Sequence, residues 1–119
     1  MSNLDSHLLD YETLNTLKEM FGDKLVMLID QFIAHTQNLV DEIESAIKTN
    51  NADALYFKGQ QYKGTCLQMG AKQIGDRCAD LELLAAQKKM HHTPHLLTKL
   101  KQDVSATNCA LISFKNELP

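Results

Sequence analysis

Apolar residues recur at helical spacing along most of this 119-residue chain. Leu14, Leu17 and Phe21 follow Asp10, and Gly22 comes next. This predicts a short helix with Asp10 as N-cap, ended by Gly22. From about Asp23 to about Thr49, one stripe holds Leu25, Leu28, Ile29, Phe32, Leu39, Val40, Ile43, Ala46 and Ile47. Asp30, Gln37, Asp41, Glu44 and Lys48 fill much of the other side. That is an amphipathic helix of about seven turns. Asn50 and Asn51 break it, and Asn51 caps the next. The third helix spans about Ala52 to Met69, with Gly70 supplying a left-handed residue after it.

A fourth helix is predicted from about Ala71 to about Lys89, with Ile74, Cys78, Leu81, Leu84 and Ala85 inward. Lys88 and Lys89 near its end suit the helix dipole. The segment HHTPH then links to a fifth helix, with Thr93 as N-cap and Pro94 as first helical residue. Leu97, Leu100, Val104, Leu111 and Phe114 share its inner face. Short connections imply antiparallel neighbours. The expected fold is all-α: an antiparallel up-down four-helix bundle with a short additional N-terminal helix packed across it.

Composition narrows the function. Glycine (5) and proline (2) are scarce, which favours long helices over a sheet with many turns. The length suits one domain over residues 1–119. A net charge of −3 gives no basic footprint, so nucleic acid is not an expected partner. No apolar run approaches the ~20 residues needed to span a bilayer, and the start lacks a secretory pattern. Cys66, Cys78 and Cys109 are widely spaced, without a CxxC. Buried thiols in a reducing cytoplasm are expected, not disulfides or a zinc site.

The third helix carries the candidate chemistry. Leu55, Tyr62, Cys66 and Met69 form its apolar face; Lys58, Gln60, Gln61, Lys63, Gly64 and Gln68 form a wet one. Gly59 and Gly64 each cost about 1 kcal/mol relative to alanine in a helix interior. For Gly59, close helix packing and exposed docking are both open. Gly64 falls on the polar side, which favours docking. Lys63 shares a face with Gln60 and Gly64, leaving room and positive charge for an anion or a partner.

No nucleophile elbow, HExxH, phosphate loop, Glu-x-x-His pair or carboxylate pair with a pocket is present. No metal and no cofactor is expected. His91, His92 and His95 read as a solvated linker, and His35 as a half-buried packing residue.

The stretch GQQYKGTCLQMGA resembles the signature of histidine-containing phosphotransfer (HPt) domains, roughly A-H-x-L-K-G-(S/T)-x-x-x-(L/M)-G-A. Lys63, Gly64, Thr65, Met69, Gly70 and Ala71 match at the right spacing. Leu81-Glu82 fits the family's Leu-Glu pair; Phe21-Gly22-Asp23 and Phe32 fit its Gly-Asp turn and second-helix Phe. The resemblance implies a member of a bacterial multistep phosphorelay. It would dock response-regulator receiver domains through helix 3 and the adjoining face of helix 2. A hybrid sensor kinase is a further candidate partner.

The resemblance places the phosphorylated histidine of the family at Gln60. Gly59 replaces the usual alanine and Tyr62 the usual leucine. An amide nitrogen has its lone pair delocalised into the carbonyl and is a poor nucleophile. None of the five histidines lies in helix 3. The chain is therefore expected to bind without transferring phosphate. Both a natural pseudo-domain and an engineered His-to-Gln form fit this pattern. By resemblance Lys63 would meet phosphoryl oxygens, Gly64 would admit the receiver surface, and Glu82 would orient the imidazole. With Gln60 present, its amide is expected to donate to Glu82, with Gln61 beside it at the docking face. A helical interaction module unrelated to phosphorelays, and an enzyme subunit with an unseen site, are the alternatives.

Overall fold

The computed structural model describes residues 7–118. Its α-helices are α1 (Tyr11–Phe21), α2 (Lys24–Lys48), α3 (Ala52–Met69), α4 (Lys72–Ala86) and α5 (Thr93–Asn116), with a short 3₁₀ turn, Met90–His92, before α5. No strand occurs among the described residues. The fold is an all-helical bundle, as the apolar spacing predicts. Helices α2 to α5 form a ring in which each packs on the next and α5 closes on α2. Helix α1 packs against α2 and α3.

The core is continuous and apolar. Leu25, Ile29 and Ile43 of α2, Leu55 of α3, Ile74 and Leu81 of α4, and Leu100 and Leu111 of α5 are fully buried. Thr36 and Thr107 are also buried, which an apolar-stripe reading does not anticipate. Arg77–Asp103 (2.6 Å), Lys101–Glu44 (2.8 Å) and Lys115–Asp30 (2.8 Å) tie α5 to its two neighbours. The two lysine pairs are largely exposed and worth about 0–1 kcal/mol each, setting register more than stability, whereas Arg77–Asp103 is part-buried.

Helix boundaries follow their caps. Asp10 accepts from the backbone of Glu12 and Thr13, and Asn51 accepts from Ala54. Three helices end with a left-handed residue: Asn50 (φ 53°), Gly70 (φ 78°) and Lys88 (φ 57°). After α2, Asn50 N–H donates to Ile47 and Asn51 N–H to Ala46. After α4, Lys88 N–H donates to Ala85 and Lys89 N–H to Leu84. Both are the paired closing bonds of a Schellman motif.

Two expectations are corrected here. Helix α4 stops at Ala86, so Lys88 and Lys89 close the turn instead of lying in the last helical turn. Thr93 does not cap α5; its buried hydroxyl donates to Met90 O at 2.6 Å, because the 3₁₀ turn places that carbonyl beneath it.

Gly70 also seats the N-terminal segment. Asp10 N–H donates to Gly70 O at 2.7 Å, and Gln73 N–H to Leu8 O at 3.3 Å. Leu8 and Leu9 are buried with the core. A Cβ on Gly70 would stand 2.9 Å from Asp10 O, on a backbone already at positive φ. Gly70→Ala is therefore expected to cost about 1–3 kcal/mol in urea unfolding. Gly64 has nothing within 4 Å of a Cβ and lies inside α3, so Gly64→Ala should stabilise by up to about 1 kcal/mol. Equal effects at the two sites would contradict this account.

Asp10 gives a pH dependence. The Thr13 side-chain hydrogen bond, then backbone bonds from Thr13 and Glu12, hold its carboxyl below the ordinary value. The folded state thus favours the charged form. Its contribution is complete above the ordinary aspartate pKa of about 3.9 and fades as pH falls through the lowered folded value. Stability curves of the natural chain and Asp10→Asn are expected to converge on acidification below pH ~4. Curves that stay parallel there would contradict it.

Candidate functional site

Helices α3 and α4 pack closely at a glycine on each, where an added Cβ would come into ordinary van der Waals contact with the other helix. A Cβ on Gly59 would lie 3.4 Å from Cys78 O and 3.7 Å from Glu82 Cβ. A Cβ on Gly75 would lie 3.7 Å from Cys66 Cβ. Gly59 is buried against α4, so of its two readings the structure selects close packing.

This packing turns Gln60, Gln61 and Gly64 outward, and all three are exposed. Lys63 sits half-buried between them and α4. Its ammonium is 2.7 Å from Glu82 Oε2, with the side chains 34% and 16% exposed. Glu82 Oε2 is shut off from solvent and makes no hydrogen bond, so the Lys63 charge is what balances it. The contact is Coulombic, with angles poor for a hydrogen bond. The expected bond from the Gln60 amide to Glu82 does not form. A full positive charge outcompetes a neutral amide for a carboxylate oxygen that has lost its water.

Beneath this surface lie Tyr62, Cys66 and Cys78, each fully buried. Burial pushes the Cys78 thiol up to about 12, with Glu82 adding to the rise and Lys63 opposing it. Burial also raises Cys66 and Tyr62; the Thr36 hydroxyl partly opposes the rise at Tyr62. Such thiols stay protonated and are not nucleophiles. Thr36 Oγ1 and Tyr62 Oη approach each other across the α2–α3 contact without hydrogen-bond geometry.

Beside the exposed face runs an apolar groove of about 620 Å³. Leu17, Met20 and Phe21 of α1, Leu28, Gln31, Phe32 and His35 of α2, and Thr65, Gln68 and Met69 of α3 line it. No lysine, arginine, aspartate or glutamate does. Met20 and Met27 are 68% and 60% exposed, unusual for large apolar side chains. His35 is exposed on this groove and not a half-buried packing residue, because Thr36 takes the inward position next to it. The α1 wall is absent from the sequence reading. The signal for it was the Met20-Phe21 pair, which extends the apolar pattern of α1 past the residues its core needs.

Among the described residues, no three His, Cys, Asp or Glu side chains gather to hold a metal. The His91 and His92 rings lie 3.9 Å apart between centroids, tilted by 42°, and are exposed at the other end of α3. Among the described residues no helix is long and apolar enough to cross a membrane.

Residues 27–108 match the Hpt domain family. No curated protein matches the sequence. Among solved structures, the chain is similar to histidine-containing phosphotransfer protein B from Pseudomonas aeruginosa PAO1. The TM-score is 0.88 at 22% identity, over 93% of this chain and 96% of that one. At that identity the likeness concerns the fold.

The Tyr62 hydroxyl is buried without a partner. Tyr62→Phe removes a desolvated polar group at nearly constant volume, so it should be neutral or stabilise by up to about 1 kcal/mol. A loss above that value in thermal unfolding would show a hydrogen bond at this hydroxyl.

Proposed function

The chain belongs to the Hpt domain family, and from that premise we propose that it docks response-regulator receiver domains of a phosphorelay without carrying phosphate. Residues 1–119 act as one such domain in the cytoplasm. A hybrid sensor kinase is a second candidate partner of the same face. The chain then works as a competitor for receivers, not as a carrier.

The observation that carries this reading is the exposed Gln60, flanked by Lys63 and the open Gly64. The family's signature has histidine at that position. An imidazole nitrogen can attack phosphorus through its in-plane lone pair, and an amide nitrogen cannot. No other described side chain on this face replaces it: Lys63 is held by Glu82, and the thiols below are buried and protonated. Support for docking comes from the groove beside it. A contiguous apolar surface with the exposed Met20 on its wall and no charged lining residue suits a partner's apolar face.

Incubation with a phosphorylated receiver tests both halves. The natural chain should bind the receiver and take no label, and Gln60→His should acquire acid-labile phosphate. Stable label on the natural chain would overturn the carrier-deficient reading. Failure of every receiver to bind would favour an interaction module outside phosphorelays.

A further inference from the structure

We propose that Glu82 keeps Lys63 from reaching a phosphoryl group, so that this chain prefers an unphosphorylated receiver domain to a phosphorylated one. This rests on the receiver-docking reading above and specifies the state of the partner. The face around Gln60 holds few charges. Gln60, Gln61 and Gly64 are neutral, the groove lining has no acid, lysine or arginine, and Lys58 is paired with Glu42. The response of this face to an incoming phosphoryl group is therefore set by Lys63 and Glu82.

At 2.7 Å the two charges cancel toward any group approaching from outside. A phosphoryl group adds about 1.5–2 negative charges at neutral pH. To meet it, the Lys63 ammonium would have to leave a carboxylate oxygen that is buried and lacks any hydrogen bond. The pair is part-buried, with Lys63 34% exposed, so its separation costs less than that of a fully buried pair, yet it leaves the solvent-shielded Oε2 without its counter-charge. The Glu82 Cβ lies 3.7 Å from the position a Cβ on Gly59 would occupy, where α4 lies against α3. The phosphoryl group thus meets a carboxylate and a committed ammonium, whereas an unphosphorylated receiver brings no such added charge.

The test uses a receiver domain that binds the natural chain, with Mg²⁺, with and without beryllofluoride as the phosphoryl mimic. Affinities are measured for the natural chain, Glu82→Gln, Lys63→Met and the double variant, each checked for helicity. The natural chain should bind the free receiver at least as tightly as the beryllofluoride form. Glu82→Gln should shift the ratio about tenfold toward the beryllofluoride form. Adding Lys63→Met should abolish that shift. The comparison of the two receiver forms on the unsubstituted chain stands even if Glu82→Gln unfolds, and Lys63→Met alone, which leaves the Glu82 carboxylate unbalanced, should weaken binding of the beryllofluoride form the more. Overturning results are an unsubstituted chain that prefers the beryllofluoride form, an unchanged ratio in Glu82→Gln, or a double variant whose ratio falls well below that of the unsubstituted chain. If no receiver binds in either state, the docking reading itself falls, and this inference with it.

Discussion

Everything at the candidate site depends on how closely α3 and α4 approach. Gly59 on one helix and Gly75 on the other leave no side chain between the two backbones. That spacing carries Glu82 in beside Lys63 and places their opposite charges 2.7 Å apart. It buries Tyr62, Cys66 and Cys78, removing them from any reaction with solvent. It also turns Gln60 and Gly64 outward, where a partner can reach them. A Cβ at Gly59 would only touch the Cys78 carbonyl and Glu82 Cβ, but a side chain larger than alanine would extend toward both, so the backbone contact and the charge pair are linked.

The second constraint is the seat of the N-terminal segment. The left-handed Gly70 ends α3 and accepts a hydrogen bond from Asp10 through its carbonyl. This brings α1 alongside α2 and the end of α3, and creates the groove that neither helix pair would form alone. The groove and the Gln60 face meet at Thr65 and Gln68, giving one continuous surface of apolar floor and uncharged rim. Its exposed Met20 suits partners of varied shape, since an unbranched thioether side chain repacks at low cost.

Much of the fold was legible because local rules and tertiary packing agree. Asp10, Asn51 and Gly70 are caps by residue type and are caps in the structure. The apolar stripes of α2 and α5 become core faces. The end of α4 was not legible, since lysine is a poor left-handed residue and nothing local announces Lys88 in that role; the packing of the following turn imposes it. His35 was expected to be half-buried and is exposed, for a related reason. Spacing places it and Thr36 near the stripe boundary, and only the position of α3 decides which one turns inward. At the site, Lys63 and Gly64 were legible from the polar face of α3, and Glu82 only through the resemblance to a family signature. The pairing of Lys63 with Glu82 was not legible, because a helix-surface pattern does not report which of two helices supplies a partner. Gln60 was expected to bond Glu82, and the nearer cation displaced it.

The central claim is that a receiver covers the Gln60 face and the adjoining groove. Amide hydrogen exchange and chemical-shift changes, recorded as a receiver domain is added, test it most directly. The account predicts changes concentrated at Met20, Phe32, His35, Gln60, Gly64 and Gln68. The turn between α4 and α5, at Lys88 to His92, should remain unperturbed. Changes centred on that far turn, with the Gln60 face still fully exposed to exchange, would contradict it.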